Sequence, residues 1–110
     1  MNRQTLPPEY LRLRTDLSRL GLISQGSVQD RTARKGGGAG YQWTRKLAQK
    51  TVTVSLTREQ FQRLKDAIAN YRRLRTHLRQ MEKLSRQIIF RTTPHTGRHK
   101  HLSKKVLGII

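Results

Sequence analysis

A chain of 110 residues with no cysteine has room for one modest core, which excludes a disulfide framework, a thiolate metal site and a large substrate cavity. Its 24 Lys and Arg against 6 Asp and Glu leave a net charge of +18 and a pI near 11.8, a surface that draws polyanions because each phosphate it neutralises releases condensed counterions. The segment from Met1 to Pro8 holds no apolar run and no stretch reaches membrane-spanning length, so the cytoplasm is the expected compartment and no membrane is expected as partner.

Leu6, Tyr10, Leu13, Leu17 and Leu20 recur at steps of four and three, the spacing of one face of an α-helix. Pro7 or Pro8 suits its first turn, where no N–H is needed, and Gly21 suits its end, which predicts an amphipathic helix over 8–20 inside an N-terminal segment 1–21. Residues 22–40 hold Ser24, Gly26, Ser27, the cations Arg31, Arg34 and Lys35, and the run Gly36-Gly37-Gly38-Ala39-Gly40, and read as a flexible linker. The glycine run lacks the Lys-Ser/Thr ending of a phosphate-binding loop and precedes a strand.

From Tyr41 the period changes to two. Tyr41, Trp43, Arg45 and Leu47 alternate with Gln42, Thr44 and Lys46, and Val52, Val54 and Leu56 with Thr51, Thr53 and Ser55, which predicts the two strands of a hairpin. The connection Ala48-Gln49-Lys50 is short but lacks the Gly or Asn that a primed turn prefers, leaving its geometry open. Thr57-Arg58-Glu59-Gln60 has the form of a capping box. Beyond it, Phe61, Leu64, Ile68, Tyr71, Leu74, Leu78, Met81, Leu84 and Ile88 follow at helical steps, which predicts one helix over 58–90, roughly 50 Å long. Residues 91–110 read as a basic, polar tail.

The expected fold is therefore α+β: a short N-terminal helix, a two-stranded antiparallel hairpin and one long C-terminal helix with a coiled-coil-like distal half. Hairpin and long helix, 41–90, form a single domain with the first helix. The distal stripe of Leu74, Leu78, Met81, Leu84 and Ile88 lies beyond the reach of the hairpin, so a homo-oligomer formed through it is expected.

Catalysis is not expected, because the six acids are scattered. Glu59 and Glu82 precede Arg63 and Arg86 by four residues and read as helix-surface ion pairs, while Asp16, Asp30 and Asp66 have no acidic neighbour with which to hold a divalent metal. His95, His99 and His101 sit in a Gly- and Lys-containing stretch that supplies no rigid ligand set, so neither a metal nor a cofactor is expected. The cations are better organised. Arg58, Lys65, Arg72, Arg79 and Arg86 recur every seven residues and form one ridge about 100° from the apolar stripe. Between Arg58 and Arg91 ten basic residues face only Glu59, Asp66 and Glu82, which leaves an external anion to balance them. Arg45, Lys46 and Lys50 near the hairpin tip make a second candidate surface, and Trp43, in phase with Tyr41 and Leu47, reads as a core residue.

Gly26-Ser27-Val28, Gly40-Tyr41-Gln42-Trp43, Lys50-Thr51-Val52 and, most specifically, Ile68-Ala69-Asn70-Tyr71-Arg72-Arg73-Leu74 carry a resemblance that covers residues 11–85. Through them the chain resembles a bacterial family of small basic proteins associated with transposases and mobile elements. Many members of that family carry a cysteine cluster resembling a zinc-binding knuckle between the Gly-Ser segment and the hairpin; residues 31–40 here contain none, so the resemblance implies no metal site. It implies a mobile-element context and DNA, and adds no site residue. The expected function is that of a nucleic-acid-binding accessory protein, with DNA before RNA, contacting the phosphate backbone during transposition or recombination, with a transposase or recombinase as protein partner. RNA binding and a coiled-coil adaptor for an acidic partner are the alternatives.

Overall fold

The computed structural model describes residues 5–32, 40–93 and 102–110, which form α1 (Pro8–Ser18), β1 (Ser27–Asp30), β2 (Tyr41–Leu47), β3 (Lys50–Leu56), α2 (Arg58–Thr92) and α3 (Lys104–Leu107). They belong to two compact units, one of Leu20–Leu74 and one of Met1–Arg19 with Arg75–Ile110. The single helix α2 contributes residues 58–74 to the first and 75–92 to the second.

The sheet of the Leu20–Leu74 unit is antiparallel with order β1-β2-β3. The hairpin is as expected, but the sheet has three strands where the sequence predicts two, because Ser27–Asp30 of the supposed linker pairs with the free edge of β2. Only Val28 in that segment is apolar, so side-chain alternation gives little sign of a strand. Its backbone N–H and C=O groups are nonetheless able to complete the ladder. Residues 33–39, the rest of that linker, lie outside the described residues.

The hairpin turn is two residues long. Leu47 pairs with Lys50, and Ala48 and Gln49 both take positive φ, 50° and 67°, the pair of left-handed conformations of a type I′ turn. Thr57 and Gln60 close the expected capping box: Gln60 N–H donates to Thr57 Oγ1 at 3.1 Å and Thr57 N–H to Gln60 Oε1 at 2.9 Å. Helix α2 starts there and places Phe61 against Tyr41, ring centroids 4.7 Å apart, with Ala67 and Ile68 buried one to two turns on.

Residues 20–26 are strapped along α2. Ser24 N–H donates to the Ala67 carbonyl at 3.1 Å, Asn70 Nδ2 to the Leu22 carbonyl at 2.9 Å, and Gln25 Nε2 to the Tyr71 hydroxyl at 3.0 Å. The strap ends at Gly26, whose φ of +107° suits glycine and whose missing side chain leaves room for the Trp43 indole; a Cβ there would stand 2.8 Å from the Thr44 carbonyl oxygen. The Gly26, Trp43 and Asn70-Tyr71 positions singled out in the sequence thus meet in one place.

In the other unit α1 ends at Ser18 and runs antiparallel to the distal half of α2. Asp16 Oδ2 lies 3.3 Å from His77 Nε2, whereas Leu6 and Tyr10 share a groove with Ser85, Ile88 and Ile89. Leu13 is buried, and Leu74, Met81, Leu84 and Ile88 are half-buried, so most of the distal stripe is covered by its own chain. Leu78 and Ile89 stay exposed on this half of α2, at 42% and 52%.

The C-terminus is more than a tail. Ser103 caps α3 by accepting from Val106 N–H at 3.1 Å, and Gly108, left-handed at φ 73°, ends it while Ile109 N–H returns to the Lys104 carbonyl. Arg86 Nη1 then donates to the Gly108 carbonyl at 3.3 Å and Gln87 Nε2 to the Ile109 carbonyl at 2.7 Å. His95, His99 and His101 lie outside the described residues.

Candidate nucleic-acid interface

Strand alternation and register divide the sheet into two unlike faces. Tyr41, Trp43, Arg45 and Leu47 of β2 stand beside Asp30 and Val28 of β1 and beside Leu56, Val54, Val52 and Lys50 of β3, and this face receives Phe61 of α2. The opposite face consists of cross-strand rows. Gln29, Gln42 and Ser55 make one, Ser27, Thr44 and Thr53 the next, and Lys46 with Thr51 the third. Every one of these side chains is polar or cationic, and none is acidic.

The polar face is ordered by its own bonds. Arg31 Nη1 donates to Gln42 Oε1 at 3.2 Å, which fixes the amide while leaving that oxygen a second lone pair, and the Thr44 and Thr53 hydroxyls lie 3.5 Å apart. A shallow depression beside them is lined by Ser27, Thr44, Arg45, Lys46 and Thr51 together with Gln25 and Gly26.

Of the expected cationic contacts, Arg45 and Lys46 part company, because adjacent strand residues point to opposite faces. Arg45 is half-buried, its guanidinium carbon 5.3 Å from the centre of the Trp43 ring, whereas Lys46 is exposed on the polar face. Lys50 is exposed at the start of β3, opposite Leu47 and therefore on the other face from Lys46. Arg58 and Lys65, exposed on the first turns of α2, lie at the other end of the sheet, near Asp30; Lys65 Nζ is 5.9 Å from the Phe61 ring centre. Thr32, through its hydroxyl and then its N–H, holds the Asp30 carboxyl below its ordinary pKa, and the two cations act in the same direction.

No family model, curated protein or solved structure matches this chain.

Arg72 is exposed in the Leu20–Leu74 unit and already interacts with another group. Arg79 is exposed, and Arg86 half-buried, in the other unit. Arg86 is drawn out of the expected ridge, because Glu82 Oε1, 3.5 Å away, and the Gly108 carbonyl both occupy its guanidinium. Its seven-residue spacing identifies a helical position without revealing the partner that the C-terminus supplies.

Among the described residues no three His, Cys, Asp or Glu side chains gather to hold a metal ion, and no helix is long and apolar enough to cross a membrane. The row of Gln29, Gln42 and Ser55 is hidden in the sequence because 22–40 reads as linker. The signal available is the polar phase of each strand, Gln42-x-Thr44-x-Lys46 and Thr51-x-Thr53-x-Ser55.

Proposed function

We infer that this chain is a non-enzymatic protein that binds the phosphate backbone of duplex DNA, with the Leu20–Leu74 unit as the contact surface. The observation that carries the reading is the placement of exposed cations at both ends of the sheet, Lys46 and Lys50 at one and Arg58 and Lys65 at the other beside Asp30, together with a polar sheet face that carries Lys46 and no acid. Among the described residues no carboxylate is paired with Lys46 or Lys50. Within residues 20–74 eleven Lys and Arg stand against three acids, Asp30, Glu59 and Asp66, leaving +8. Such an excess is self-repulsive in the isolated protein and is relieved by an anionic polymer.

The sheet faces favour a duplex over unpaired RNA. Reading of unpaired bases relies on exposed aromatic platforms. Tyr41 and Trp43 instead stand on the helix-bearing face, Tyr41 against Phe61 and the Trp43 N–H bonded to Gln25. An accessory role in transposition or recombination rests on the family resemblance of the residues at 26–28, 40–43, 50–52 and 68–74. The test is fluorescence anisotropy of the full chain with random-sequence duplex DNA, structured RNA and an acidic polypeptide across a salt series. Duplex binding that weakens linearly in log salt supports the reading; preference for RNA or for the polypeptide overturns it.

A further inference from the structure

The outer face of the sheet is built for more than phosphate. Its central rows are amides and hydroxyls, donors and acceptors without net charge that can pair with base edges as well as with phosphates, while Gln29 is exposed and Gln42 half-exposed above a surface of short side chains. We propose that this face enters the major groove of duplex DNA and discriminates base sequence, with Gln29, Gln42, Thr44 and Thr53 as the residues that meet base edges. The proposal rests on the phosphate-binding reading above and adds a specificity to it.

Size and chemistry both select the major groove. With neighbouring strands about 4.8 Å apart, β1 and β3 lie roughly 10 Å from each other across β2. The minor groove of B-DNA, about 6 Å wide, is too narrow for side chains from adjacent strands to enter together, whereas the major groove, about 12 Å wide, takes those of two neighbouring strands, and the major groove of duplex RNA is too narrow and deep. A glutamine amide matches the N6 donor and N7 acceptor of adenine, and a threonine offers a hydroxyl to any base and a methyl to thymine. Arg31 holds the Gln42 amide in one orientation, which spares part of the ordering cost on binding. Successive rows are two residues apart, about 7 Å, roughly the rise of two base pairs, so their contacts fall on alternate base pairs.

The experiment is selection by the full chain from a pool of duplexes with a randomised core, followed by titration of the enriched duplex against a shuffled one. The enriched duplex should bind roughly tenfold or more tightly than the shuffled one, and Gln42→Ala and Gln29→Ala should each cut that ratio by about fivefold or more, the weakening falling on the enriched duplex more than on the shuffled one. Replacing its purines by 7-deazapurines, which removes the N7 acceptors from the major groove alone, should cut the ratio likewise for the unmodified protein, a readout that needs no variant to fold. Random duplex bound without enrichment overturns this proposal and leaves the phosphate reading standing. A preference that survives both Gln variants, or that ignores the 7-deaza change, also overturns it. Absence of binding to any duplex overturns both.

Discussion

The Trp43 indole N–H donates to the carbonyl of Gln25 at 3.0 Å, so the central strand of the sheet fastens the strap that leads into β1. Gln25 in turn donates to Tyr71 on α2, which makes this bond the joint between sheet, strap and helix. Trp43→Phe keeps an aromatic ring but removes the donor, and is expected to lower stability by about 1 kcal/mol, read as an earlier urea midpoint at unchanged slope. An unchanged midpoint would show that Asn70 and Ser24 hold the strap without it.

Ala48 and Gln49 occupy left-handed backbone, with φ of 50° and 67°, at the two central positions of the hairpin turn, which disfavour residues bearing a Cβ. Ala48→Asn combined with Gln49→Gly should stabilise the chain by roughly 1 kcal/mol and raise Tm by about 4–8 °C. Neither position bears a proposed contact, so duplex affinity should not change.

The cations should separate in their salt dependence. Lys46→Gln and Lys50→Gln should each lower the slope of log affinity against log salt by about 0.9 for every duplex phosphate that the lysine neutralises. Arg86→Gln should leave that slope alone, since its guanidinium serves Glu82 and the Gly108 carbonyl, and should instead speed hydrogen exchange in the segment that follows Ser103. A slope change in Arg86→Gln would restore that residue to the binding surface.

Asp30 sets a pH dependence of known sign. Its carboxyl titrates below the ordinary 3.8, chiefly through the Thr32 hydroxyl and N–H, so the folded state favours the ionised form. That stabilisation is present at pH above the unfolded value and is lost as pH falls through the folded one. Stability measured by denaturant titration should therefore fall on acidification below about pH 4 more steeply in the unmodified chain than in Asp30→Asn. Equal acid limbs would show that the carboxylate is replaceable by an amide at this turn.

The sequence by itself determined those parts of this protein that depend on local periodicity. Helical spacing from Phe61 to Ile88 and the Thr57–Gln60 box set α2 and its start, and the alternation after Tyr41 set β2 and β3, because an amphipathic element writes its own period into the chain. Tertiary structure decided the rest. The strand at Ser27–Asp30 exists because β2 has a free edge, and ladder bonds are made by backbone whatever the side chains, so one apolar residue in four suffices. The same pairing turned a set of scattered polar residues into rows, joining Gln29 to Gln42 across the strands. Which strand face turns away from α2 likewise followed from the Tyr41–Phe61 contact, and with it the separation of Lys46 from Arg45. At the other end of the chain the carbonyls of Gly108 and Ile109 claimed Arg86 and Gln87, residues more than twenty positions away, a contact that no local pattern of charge or hydropathy encodes.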